Sequence, residues 1–167
     1  MEPQTIKLRE MRVGGVHERT TRAAETAGEV TVPRLWELYR SSDVCGNRAG
    51  DPKNPQAVYV LYSEYELDAE GRADTYTILI GHEMTGQGIP PGEHCKSIRV
   101  PASKYLVFTS RRGPLRAVVR EVWDAVDAYF RSSAYKRAYT GDFELYDGRA
   151  NDPANAVVDI YISVKEN

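Results

Sequence analysis

The order in which apolar patterns recur constrains this chain more than any single motif. An extended stretch at 5–21 carries Ile6, Leu8, Met11, Val13 and Val16 among charges. A short helix follows, opened by Pro33, whose missing N–H suits a first helical turn. Leu35, Trp36, Leu38 and Tyr39 give it one apolar face. A polar loop at 46–55 leads to strands at 57–66 and 75–81, with Gly71 in the turn between them, as in an antiparallel hairpin. After a Gly/Pro-rich joint at 85–93 the pattern restarts. It runs through an extended stretch at 96–109, Gly113-Pro114, a helix over 115–131, a strand at 142–146, a turn at 148–153 and a last strand at 157–164. In the long helix Leu115, Val118, Val119, Val122, Trp123, Val126, Tyr129 and Phe130 form one stripe, and Val118 and Val126 are assigned to the core. The two helices even end alike, Leu38-Tyr39-Arg40-Ser41-Ser42 and Tyr129-Phe130-Arg131-Ser132-Ser133. The chain therefore reads as one α+β domain, 1–167, made of duplicated β-α-β-β units at 1–88 and 93–167. Pseudo-twofold symmetry would join them into an antiparallel sheet with helices on one face and a cleft at the seam.

Composition narrows the function. With 22 basic and 24 acidic side chains and a pI near 6, the chain lacks the basic surface of a dedicated nucleic-acid binder. It is too apolar, at 41% hydrophobic residues, to be disordered. Eleven tyrosines against three phenylalanines favour pockets and interfaces over dry cores. The N-terminus has charges where a signal peptide would be apolar, and no run is long enough to span a bilayer. Cys45 and Cys95, 50 residues apart, are read as idle thiols rather than a disulfide. The expected location is the cytoplasm.

Much chemistry is missing. There is no P-loop, GxGxxG, GxSxG or HExxH pattern, so no cofactor is expected. His82, Glu83, His94 and Cys95 match no common zinc spacing, and no metal is expected. Cys45 has no identifiable base beside it. Residues 96–120 hold seven basic side chains and no acidic one; the favoured reading is a solvated face balanced by acids elsewhere.

The informative segment is Asp142-Phe143-Glu144-Leu145-Tyr146-Asp147. Strand alternation sends Glu144 and Tyr146 to one face, Phe143 and Leu145 to the other. If Phe143 and Leu145 meet the helices, Glu144 and Tyr146 project into an opposite concavity. A carboxylate among aromatic rings suits a flat cation, and burial there would raise its pKa. A solvent-facing Glu144 on an edge strand is the competing reading.

Several segments resemble the GyrI-like (gyrase-inhibitor-like) domain, the effector-binding module of many AraC- and MerR-type regulators. They include Val32-Pro33-Arg34-Leu35-Trp36, Val58-Tyr59-Val60-Leu61-Tyr62, Gly81-His82-Glu83-Met84 and Val100 to Phe108. Gly141 to Asp147, followed by Asp152-Pro153, and Val158 to Lys165 complete the series. The resemblance implies a doubled fold with a central cleft for small, often cationic or polyaromatic molecules. It places the ligand-contacting glutamate at Glu144 and a cleft tyrosine at Tyr59. Trp36, Phe108, Trp123 and Tyr146 extend the pocket wall by extrapolation; Trp36 and Trp123 lie on apolar helix stripes and serve either wall or core. No DNA-binding domain precedes the module in this sequence, so direct DNA binding is not expected. Three roles follow: a free-standing binder of amphipathic cations and other xenobiotics, a hydrolase opening cyclopropane rings of DNA-alkylating compounds with Glu144 on a water, or a gyrase modulator using the basic strip.

Overall fold

The structure, a computed structural model, describes residues 1–41, 52–86 and 93–166. Eight strands form one sheet. They are β1 (Gln4–Leu8), β2 (Met11–Thr21), β3 (Val58–Leu67), β4 (Ala73–Glu83), β5 (Cys95–Val100), β6 (Ser103–Thr109), β7 (Asp142–Tyr146) and β8 (Asp159–Val164). Three helices accompany them, α1 (Arg22–Ala27), α2 (Thr31–Arg40) and α3 (Leu115–Ser132). The sheet order is β1-β6-β8-β7-β3-β4-β2-β5, and every pairing is antiparallel. Interchanging the first four strands with the last four and reading backwards returns the same order.

Each extended stretch read as one strand is two. Residues 5–21 break between β1 and β2, and these diverge: β1 pairs with β6, while β2 lies between β4 and β5. Residues 96–109 break at Pro101, which has no N–H to offer a ladder, so β5 joins the first half and β6 the second. The sequence did carry a mark at each break: the apolar phase shifts from Ile6 and Leu8 to Met11 and Val13 at the first, and Pro101 stands at the second. Helix α1 was also missed, although its signals are present: Thr21 caps it by accepting from the Ala24 N–H, and Gly28 follows its end.

The sheet has two differently packed faces. On one, Leu35 of α2 meets Val60, Ile78 and Ile80, and Val122 and Val126 of α3 meet Phe108, Ile160 and Ile162. The other face buries Met11, Val13, Leu61, Leu79, Ile98, Val100, Tyr105 and Phe143, a cluster without a helical residue. Curling explains how that face stays dry. In a flat sheet β5 would stand four strands from β7, about 19 Å. Yet a Cβ at Gly141, just before β7, would lie 2.9 Å from Val100 Cγ1. The sheet therefore closes on itself, with the helices outside the curl. Glycine permits this at Gly15↔Gly81, a directly paired position on the inner face. A Cβ on Gly15 would stand 2.7 Å from Gly81 Cα.

Two further expectations are settled here. Cys95 is disulfide-bonded, which corrects the idle-thiol reading and withdraws that support for a reducing compartment; Cys45 lies outside the described residues. The basic strip is divided among elements, and three of its seven side chains are met by acids: Lys96 pairs with Glu64, Arg99 with Glu10 and Arg111 with Glu121. Among the described residues no helix is long and apolar enough to cross a membrane.

Candidate functional site

The seam between the halves is the β3–β7 pairing at the centre of the sheet. Its register sets Glu144 opposite Val60 and, through β8, opposite Ile160. Both neighbours belong to the helix-bearing face, so Glu144 faces the groove between α2 and α3. The expected orientation of β7 is therefore inverted. Glu144 and Tyr146 do share a face, but it is the helical one, while Phe143 and Leu145 enter the curl. Phe143 stacks there on Tyr161, with ring centres 4.5 Å apart.

Glu144 is 3% exposed and holds three hydrogen bonds. Tyr62 Oη (3.1 Å) and Trp123 Nε1 (2.7 Å) donate to Oε2, and Tyr146 Oη (2.7 Å) donates to Oε1. Among the described residues it has no ion-pair partner. Burial pushes its pKa above the ordinary carboxylate range; the donors from Tyr146, Trp123 and Tyr62 pull the other way and offset part of the shift. The Tyr62 and Tyr146 hydroxyls are pushed well up in turn, by burial first and then by the carboxylate beside them. The aromatic surround continues outward, with Trp36 edge-on to Tyr146 (5.3 Å) and Tyr62 edge-on to Trp123 (5.4 Å).

Beside this carboxylate opens a pocket of about 400 Å³. Tyr62, Tyr65, Tyr76 and Trp123 line it, with Asp127 of α3 and Arg137. Helix α1 contributes Glu25, held by hydroxyl donors from Thr20 (2.6 Å) and Thr31 (2.9 Å). Glu144 sits behind the pocket wall, screened by Tyr62 and Trp123, two of the three aromatic side chains that donate to it.

Of the expected site residues, Glu144, Tyr146, Trp36 and Trp123 come together in this groove. Trp123 lines the pocket and also borders the α3 core, so wall and core were not exclusive. Tyr59 and Phe108 do not join them. Tyr59 faces the inside of the curl beside Phe143 (5.2 Å), because its partner in the register is Leu145, not Glu144. Burial lifts its hydroxyl to about 12. Phe108 is fully buried under α3 against Tyr129 and Phe130 and belongs to the core.

Tyr62, Tyr65, Tyr76 and Arg137 were missed. Tyr59, Tyr62 and Tyr65 are spaced by three, so strict alternation would return Tyr65 to the face of Tyr59. A register shift between Ser63 and Glu66, with Glu64 at φ 54°, turns Tyr65 onto the pocket instead. Its ring meets Tyr76 at 5.8 Å.

Trp123→Phe keeps an aromatic ring, though a smaller one than the indole, and removes one donor to Glu144. The expected result is a loss of about 2 kcal/mol at neutral pH, the range for a hydrogen bond to a charged group, read by urea denaturation.

Comparison with known proteins agrees with this architecture. Residues 5–164 match the family described as integron-associated effector binding protein, Cass2. YobU of Bacillus subtilis (strain 168), a candidate transcriptional regulator, is 35% identical over 155 residues, covering 93% of this chain and 92% of that protein. An integron cassette protein from the mobile metagenome of Vibrio cholerae has a TM-score of 0.71 at 26% identity, over 98% of this chain and 96% of that one. SAV2435, solved bound to tetraphenylphosphonium, shares the fold with a TM-score of 0.69 at 17% identity, over 99% and 94% of the two chains. With nearly its whole length matched and a curated relative above 30% identity, the chain belongs to the integron-associated effector binding protein family.

Proposed function

We propose that this protein binds small amphipathic cations in the groove between α2 and α3, with Glu144 as the counter-charge. The observation that carries the reading is a buried carboxylate held by three neutral donors, with no cation of its own among the described residues. Such a group is costly until a positive charge reaches it, and the ring faces around it attract the same charge. The tetraphenylphosphonium bound to SAV2435, itself a lipophilic cation, supports the ligand class. Both oxygens of Glu144 already accept hydrogen bonds, which favours an electrostatic role over orienting a water for ring opening. The ion pairs along the basic strip likewise argue against a gyrase-facing surface. Within this reading the two halves are repeats of one unit, and the ligand lies at their seam.

The test is calorimetric titration of Glu144→Gln with benzyltrimethylammonium and its neutral isostere neopentylbenzene. The variant is expected to bind the cation about 100-fold more weakly, the scale of a lost buried charge pair, and the neutral compound unchanged. Equal losses for both compounds would sink the charge-pairing role.

A further inference from the structure

Two buried carboxylates stand two residues apart on β7 and are provided for differently. Asp142 is fully buried and paired with Arg137, whose Nη2 lies 2.7 Å from Oδ2. It also accepts from Tyr65 Oη (2.6 Å) and from the Ser163 N–H (2.8 Å) and Oγ (3.0 Å). Glu144 has only neutral donors. Both ends face one pocket: Tyr62 and Trp123, which hold Glu144, line it together with Tyr65 and Arg137, which hold Asp142. Two residues of strand separate the Cα atoms that carry the carboxylates by about 7 Å. One carboxylate thus has a resident cation, and the other has no ion-pair partner among the described residues.

Arg137 retains an unused donor. Its guanidinium lies 4.6 Å from the centre of the Tyr139 ring, and its Nε is buried with no hydrogen bond among the described residues. A buried N–H with no acceptor is costly, and the side chain that carries it lines the pocket, where a ligand oxygen can accept from the guanidinium. A second positive charge arriving here would meet the guanidinium instead. The backbone at this end is held under strain, since Tyr139 has φ 55°.

Resting on the function proposed above, we propose that the pocket selects monocations carrying a hydrogen-bond acceptor roughly 7 Å from the cationic centre. The cation takes the Glu144 end. A carbonyl, ether or carboxylate oxygen takes the Arg137 end. Dications are disfavoured, because their second charge falls against Arg137.

Three probes of similar shape separate these terms by calorimetry. They are the para-isopropyl and para-acetyl derivatives of benzyltrimethylammonium and the dication para-xylylene bis(trimethylammonium). The acetyl compound is expected to bind about tenfold tighter than the isopropyl one, the scale of a charge-assisted hydrogen bond, and the dication weakest. Arg137→Lys keeps a partner for Asp142 but removes the guanidinium fork. It should erase the acetyl advantage, read as the ratio of acetyl to isopropyl affinity within the variant. Should Arg137→Lys fold poorly, Arg137→Met/Asp142→Asn removes the pair together without stranding a charge. There the dication should gain about tenfold relative to the isopropyl compound. Equal binding of acetyl and isopropyl compounds by wild type, or an acetyl preference that survives in Arg137→Lys, overturns the inference. If wild type binds none of the cations, or Glu144→Gln binds them as well as wild type does, the cation-binding function itself falls and this selectivity falls with it.

Discussion

Gly81→Ala is expected to destabilise the protein by about 3 kcal/mol or more, at the upper end of overpacking costs. The position is paired with Gly15 on the inner face of a sheet that must curl to bury that face. A Cβ there would overlap the carbonyl oxygen of Gly14 and stand 2.8 Å from Gly15 Cα. Those obstacles are backbone atoms of the neighbouring strand, and a rotamer change cannot move them aside. Relief requires β2 and β4 to separate, which breaks ladder hydrogen bonds at the tightest part of the curl. Gly15→Ala should behave alike, since its Cβ would meet the Ile80 carbonyl and Gly81 Cα. Gly148→Ala is the control: nothing lies within 4 Å of the added carbon, and its stability should stay within about 0.5 kcal/mol of wild type. Urea unfolding of the three variants checks this. A Gly81→Ala protein as stable as wild type would mean that the curl does not depend on close backbone approach.

The free Glu144→Gln protein should be more stable than wild type at neutral pH, by a margin that grows with pH. Burial raises the Glu144 pKa in the folded state above its ordinary value of 4.5. Well below that value both folded and unfolded chains are protonated, and the group has no effect on stability. As pH rises through the ordinary range, the unfolded chain releases the proton while the folded one keeps it. Wild-type stability from this group therefore falls until pH passes the raised folded pKa, and is level above it. Glutamine has no such slope. Its carbonyl can accept from Tyr62 and Trp123, and its amide can donate to the Tyr146 hydroxyl, so packing is preserved. Asp68, Asp147 and Glu121, all lowered by basic partners or backbone N–H groups, slope the other way but are common to both proteins and cancel in the difference. Melting temperatures of the two proteins across the acid-to-neutral range read that difference directly. A constant offset would show that Glu144 keeps its ordinary pKa. The same linkage makes cation uptake release a proton, so affinity for a cation should rise with pH and then level off.

Much of this was legible along the chain. The stripe in 115–131 needed only its spacing, and Val118, Val122 and Val126 are fully buried as that spacing required. The hairpin turn at Gly71, at φ 79°, followed from local chemistry alone. The sharing of a face by Glu144 and Tyr146 also followed, because alternation within one strand is a local property. The faces themselves were not legible. Which side of β7 meets a helix depends on its register with β3 and β8, and register is a relation between distant segments. The same dependence misled the reading of Tyr59. It sits one residue from the partner of Glu144, and one residue is enough to place a side chain on the opposite face.

The eleven tyrosines mark the division between sequence and structure. Their number announced partly polar, partly apolar surroundings, since each ring needs an apolar wall and each hydroxyl a partner. It did not say which would share a pocket. Tyr65 joins Tyr62 and Tyr76 in its wall because of a bulge at Glu64, and Tyr146 reaches Glu144 across the helical face. Tyr59, Tyr105 and Tyr161 went to the inside of the curl. The types of most elements and the local pairing of side chains were set by short-range preference and period. The curl, the strand order and the cation-free carboxylate at the seam came only with tertiary structure, because each depends on contacts between residues far apart in the chain.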